Sequence, residues 1–141
     1  MSEVEKMARR NFYKGKYELT KEEFLSAKYY AARYQKWLDE YNALKDSVGA
    51  IVSDDMPHAI NNISDPTGRL AERRAELKDK MEVIERTAFE TDPQIAKWLL
   101  IMAVTPEMTF EQLKAKHDIP CGSSMFYERR RKFYWLLSQK I

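Results

Sequence analysis

The chain is expected to be all-α: a long antiparallel helical hairpin followed by a C-terminal trihelical helix-turn-helix module. Three observations carry that expectation. The 141 residues include only four Gly and five Pro and are rich in Lys, Glu, Leu, Ala, Arg and Met, a composition that favours helix over sheet and argues against disorder. Apolar residues recur at spacings of three and four along two long stretches. Two segments, Thr20-Lys21-Glu22-Glu23 and Thr109-Phe110-Glu111-Gln112, have the form of a capping box that opens a helix. At this length there is room for one domain, or a compact domain with a helical extension. We divide it into residues 1–90, an N-terminal arm and the hairpin, and residues 91–141, the helix-turn-helix module.

In the first capping box, Thr20 and Glu23 reciprocally satisfy free backbone N–H groups, so a helix begins there. Phe24, Ala27, Ala31, Tyr34, Leu38, Tyr41, Leu44 and Val48 continue it as one apolar stripe of roughly eight turns, with Gly49 as its expected end. From Gly49 to Asp65 the periodicity disappears, and Ser53, Asp54, Asp55, Pro57, Asn61, Asn62 and Ser64 mark a long loop. Asp65-Pro66 then offers an N-cap with proline at the first helical position. Leu70, Leu77, Met81, Ile84 and Ala88 follow at near-heptad spacing, with Arg74 interrupting the line. Two narrow stripes of similar length bury themselves against each other, or against the same helices of a second copy, so a homodimer through the long helices is expected. The mixed charges of Glu72, Arg73, Glu76, Lys78, Asp79, Lys80, Glu82, Glu85 and Arg86 read as a solvated face.

After Glu90 the texture changes. Asp92-Pro93 opens a third helix whose Ile95, Trp98, Leu99, Leu100, Ile101, Met102 and Val104 are apolar nearly all round, the mark of a centrally buried helix. Thr105-Pro106 ends it. A short helix runs from the second capping box to about His117 with Phe110 and Leu113 inward, Asp118 to Gly122 is a turn, and Ser123 or Ser124 caps the last helix. That helix carries Phe126, Phe133 and Leu137 on one line.

Net charge is only +2, but residues 109–141 hold seven basic and three acidic side chains. At 100° per residue with Phe126 at zero, Phe133, Leu137 and Arg130 fall within about 40° of the core direction, so Arg130 must snorkel or pair. Ser124, Tyr127, Glu128 and Arg131 lie on the opposite face, where a base-reading surface would be. Arg129 and Lys132 flank it and suit phosphates, and we assign the base contact to Arg131. Trp135 also points away from the core and is expected to dock against another part of the protein. Arg129 to Lys132 equally suit a solvated basic face near a helix C-terminus.

Other classes find little here. The longest apolar run, Trp98 to Val104, has seven residues against the roughly 20 of a membrane helix, and the first twenty are too charged for a signal peptide. With one cysteine, Cys121, and no Cys/His cluster, a cytoplasmic protein without disulfide, metal or cofactor is expected. Asp54, Asp55 and His58 are too few for a defined metal site, His117 reads as a helix-end residue, and no phosphate loop, zinc-protease motif or nucleophile elbow is present. We expect no enzyme.

The stretch Ile119-Pro-Cys-Gly-Ser-Ser-Met-Phe-Tyr-Glu-Arg-Arg-Arg-Lys-Phe-Tyr-Trp-Leu-Leu, with Ser47-Val-Gly-Ala-Ile, Asp55-Met-Pro-His and Ser64-Asp-Pro-Thr, resembles phage-encoded regulators of the RinA/ArpU group, over roughly residues 25–138. These are late-gene activators of phages and prophages of Gram-positive bacteria. The resemblance implies a sequence-specific regulator of double-stranded DNA in a bacterial host, associated with the nucleoid, whose C-terminal part is similar to the promoter-recognition helix-turn-helix of sigma factors, with RNA polymerase as a further partner. It implies DNA contacts at Ser123, Ser124, Tyr127, Arg129, Arg130, Arg131 and Lys132; the face analysis adds Glu128. The turn from Asp118 to Gly122 is longer than the usual turn of about 3 to 4 residues. Alternatives are a DNA-packaging component like a small terminase subunit, or a helical protein-interaction module that never touches nucleic acid.

Overall fold

The structure, a computed structural model, describes residues 17–53 and 66–141. Among these residues every regular element is a helix: α1 (Lys21–Ala32), α2 (Tyr34–Ser53), α3 (Pro66–Thr91), α4 (Ala96–Val104), α5 (Phe110–Lys116) and α6 (Ser123–Ser138). The chain is all-α, as its composition and periodicity indicate. The described residues divide into two compact units: residues 17–34 with 83–141, and residues 35–53 with 66–82. The division expected at residue 90 is therefore displaced, because α1 packs on α6 and α4 and belongs with the C-terminal helices.

At the start of α1 the Glu23 N–H donates to Thr20 Oγ1 at 3.1 Å and the Thr20 N–H to Glu23 Oε1 at 3.3 Å, a cap that stabilises by on the order of 1 kcal/mol. The single helix expected from Thr20 to Gly49 is in fact two. α1 stops at Ala32, the Arg33 N–H turns back to the Tyr30 carbonyl at 3.2 Å, and α2 runs through Gly49 to Ser53. No Gly or Pro lies at Ala32-Arg33-Tyr34, so local propensity does not impose the break. α1 itself is held by tertiary contacts: Phe24, Ala27 and Ala31 are fully buried, with the Phe24 ring edge-on to Tyr134 of α6 at 5.3 Å.

In the unit of residues 35–82, Trp37, Glu40 and Tyr41 of α2 meet Lys80, Arg73 and Arg74 of α3 respectively. From Trp37 to Glu40 and Tyr41 the partner moves back from Lys80 to Arg73 and Arg74, so the two run antiparallel. Arg73 grips Glu40 with Nε at 2.9 Å and Nη2 at 3.3 Å, and this hydrogen bonding holds the Glu40 carboxyl below its ordinary range. Arg74, the interruption in the apolar line, lies 4.4 Å from the centre of the Tyr41 ring and donates to its hydroxyl at 3.0 Å. Trp37, Leu77 and Met81 are buried, whereas Leu38, Tyr41, Leu44 and Leu70 are only half-buried. Burial in α2 thus centres on Trp37 and not on the expected stripe.

In the other unit, Tyr34 donates to Glu85 Oε2 at 3.2 Å. Burial first, then the charge of Glu85 and this hydrogen bond, push its pKa from 10.0 up to about 12. The folded chain holds that proton more tightly than the unfolded one, so the associated stability is full below pH 10 and is lost as pH rises toward about 12. Denaturant midpoints should fall across that window, and fall less in Tyr34→Phe.

The core of this unit is continuous from Leu19 through Phe24, Ile84, Ala88, Ile95, Leu99, Met102 and Phe110 to Phe126, Phe133, Tyr134 and Leu137, all buried. α4 begins at Ala96, after a turn in which the Gln94 N–H donates to Asp92 Oδ1 at 3.0 Å. Phe89 and Tyr29 remain exposed.

Candidate nucleic-acid interface

The interface is built on α5, the following turn and α6. The second capping box forms as its sequence indicates: the Gln112 N–H donates to Thr109 Oγ1 at 3.2 Å and the Thr109 N–H to Gln112 Oε1 at 2.9 Å. Phe110 and Leu113 of α5 are buried, as is Ile119 in the turn. The Phe110 ring lies 5.1 Å from Phe126 and 6.4 Å from Tyr127, clamping α5 to the N-terminal half of α6. α6 opens with Gly122 as its N-cap and no side-chain cap. The expected cap at Ser123 or Ser124 is not made; both residues sit in the first turn, exposed.

The basic run Arg129 to Lys132 is divided by the helix into three fates. Arg130 is buried, its guanidinium carbon 5.8 Å and 6.0 Å from the Tyr127 and Tyr134 ring centres. Its Nε finds no hydrogen-bond partner among the described residues. Burial pushes the Tyr134 pKa up, opposed by the nearby Arg130 charge and by a hydrogen bond to Arg130. Arg130 therefore cannot serve as the DNA contact the resemblance implies; it lies on the core side of the helix, and Arg130→Met should leave DNA affinity unchanged in a binding titration.

Arg129 and Lys132 turn instead to the C-terminal end of α3. Arg129 Nε pairs with Asp92 Oδ2 at 3.2 Å and Lys132 Nζ donates to the Thr91 carbonyl at 3.1 Å. Lys140, just beyond α6, reaches Glu90 Oε2 at 2.9 Å and the buried Thr87 hydroxyl at 3.0 Å. Positive charge is favourable where helical carbonyls end unpaired. In this arrangement the phosphate role expected of Arg129 and Lys132 is replaced by an internal one. Arg129→Ala should cost on the order of 1 kcal/mol, visible as a drop in Tm of about 4 °C by circular dichroism.

The third fate is outward. Ser123, Ser124 and Glu128 are exposed and Tyr127 and Arg131 are half-buried; together with Glu111 of α5 they line one open depression. Tyr127 is partly a scaffold residue, its hydroxyl accepting from the Phe110 N–H at 3.3 Å. Arg129 Nη1 stands 3.5 Å from Glu128 Oε1. Trp135 docks as expected, with the Tyr17 ring 5.3 Å away and edge-on.

Sequence reasoning missed Glu111. The signal was its position in the first turn of a helix that clamps the start of α6. It also missed the burial of Tyr134, which lies about 80° from Phe126, on a flank that α1 covers.

No group of metal-binding side chains occurs among the described residues, and Asp54, Asp55 and His58 lie outside them. Burial and then Asp92 push the Cys121 thiol up, the reverse of what an activated nucleophile requires. No helix among the described residues is long and apolar enough to cross a membrane. No protein family, curated protein or solved structure matches the chain.

Proposed function

We propose that the protein is a sequence-specific regulator that binds double-stranded DNA, an activator of phage or prophage late genes acting in the bacterial cytoplasm, with RNA polymerase as a further partner. The observation that supports DNA binding is the outward face of α6. Ser123, Ser124, Tyr127, Glu128 and Arg131 share it, on a helix whose opposite side is fixed by Phe126, Phe133, Tyr134 and Leu137. A rigid rod with polar side chains on its free face matches a major-groove reader. The late-gene role and the polymerase contact rest on the family resemblance. Pairing of the long helices with a second copy rests on the two narrow apolar stripes of the sequence.

The test is sequencing of DNA fragments selected by the purified full chain, followed by titrations of a selected and a random duplex at several salt concentrations. One enriched motif is expected, with log affinity falling linearly in log salt. Equal binding of both duplexes at moderate salt would overturn the reading. A ring-shaped oligomer in light scattering would favour the packaging alternative.

A further inference from the structure

We infer that Glu128 is a specificity-determining residue that accepts a hydrogen bond from the exocyclic amino group of a cytosine, next to a guanine read by Arg131. The inference rests on the DNA-binding reading above and deepens it.

A carboxylate facing a polyanion is unfavourable unless it meets a donor. Glu128 stands on the outward face of α6 with its side chain 61% exposed, beside Ser124, Tyr127 and Arg131 in the same depression. Its nearest cation, Arg129, is committed through Nε to Asp92, and its Nη1 comes within only 3.5 Å of Glu128 Oε1. That weak contact engages one oxygen of an exposed carboxylate.

In the major groove the donors are the amino groups of cytosine and adenine. Guanine and thymine present acceptors there and repel a carboxylate. Adenine places its N7 lone pair beside its amino group, which repels the second oxygen, so cytosine is preferred. Arg131, three residues along, carries the complementary donors that fit guanine O6 and N7. The two residues are separated by roughly 4.5 Å along the helix axis, comparable with the roughly 3.4 Å step between base pairs. Their targets therefore lie at adjacent or next-adjacent base pairs.

The experiment compares fragment selection by the wild-type full chain, Glu128→Gln and Glu128→Ala, with circular dichroism confirming that each variant is folded. Wild type should enrich a motif containing a cytosine within two positions of an invariant guanine. Glu128→Gln should lose the cytosine preference at that one position, turning toward adenine, whose N6 and N7 suit an amide. Glu128→Ala should accept all four bases there, and both variants should keep the rest of the motif. If all three proteins enrich the same motif, Glu128 does not read a base and the inference fails while DNA binding stands. If wild type enriches no motif, the DNA-binding reading itself fails.

Discussion

Tyr134→Ala should destabilise the unit of residues 17–34 and 83–141 by about 3 to 5 kcal/mol, a large share of the roughly 5 to 15 kcal/mol that a domain possesses. Tyr134 is fully buried and its ring meets Phe24 of α1 at 5.3 Å and Phe133 of α6 at 5.2 Å. Truncation leaves a cavity where two helices join and removes an aromatic surface from beside the buried Arg130 guanidinium. Tyr134→Phe provides the contrast. The hydroxyl faces the buried Arg130, whose charge and hydrogen bonding oppose the upward push of burial on its pKa, so its removal should cost far less than removal of the ring. Urea titrations check both: the midpoint should fall sharply for alanine with little change in slope, and only slightly for phenylalanine. An equal loss in both variants would mean that the hydroxyl, not the ring, holds α1 to α6.

Arg131→Ala carries the second large effect. As a base-reading side chain, Arg131 should contribute roughly 1 to 3 kcal/mol of discrimination. Its truncation should weaken binding to a selected duplex by roughly 10- to 100-fold while scarcely changing binding to random duplex. The salt slope should stay close to wild type, because base contacts release few counterions. Uniform weakening on every sequence with a shallower slope would instead make Arg131 a phosphate contact. Arg129→Ala is the control, since its guanidinium is engaged by Asp92 within the protein and its loss should register as lower thermal stability.

Features that depend on a few neighbouring residues were legible in the sequence. Both capping boxes form with the hydrogen bonds their spacing implies, α3 starts at Pro66, and Ile119 is buried in the turn. Helical phase also placed Arg130 toward the core and sent Trp135 to a partner, found in Tyr17. What escaped depends on contacts distant in sequence. The break at Arg33 separates the helix that docks on α6 from the next one, and no residue at 32–34 announces it. The same docking carries α1 across the division expected at residue 90.

The candidate interface divides in the same way. Periodicity separated Tyr127, Glu128 and Arg131 from the core line. It could not tell a phosphate-facing cation from one that ties helices together, because Asp92 and Thr91 lie 37 and 41 residues before their partners Arg129 and Lys132. Of four consecutive basic residues, one is buried, two are tied to the end of α3, and the half-buried Arg131 lines the open depression. A charge run read from sequence alone overstates the cations available to a nucleic acid.

The most direct measurement is a backbone-amide chemical-shift titration of the isotopically labelled full chain with a duplex carrying its selected motif. Displacements centred on Ser123, Ser124, Tyr127, Glu128 and Arg131, with those of residues 35–82 small, are the predicted result. Displacements confined to residues 35–82, or none at concentrations where a random duplex behaves identically, would contradict it.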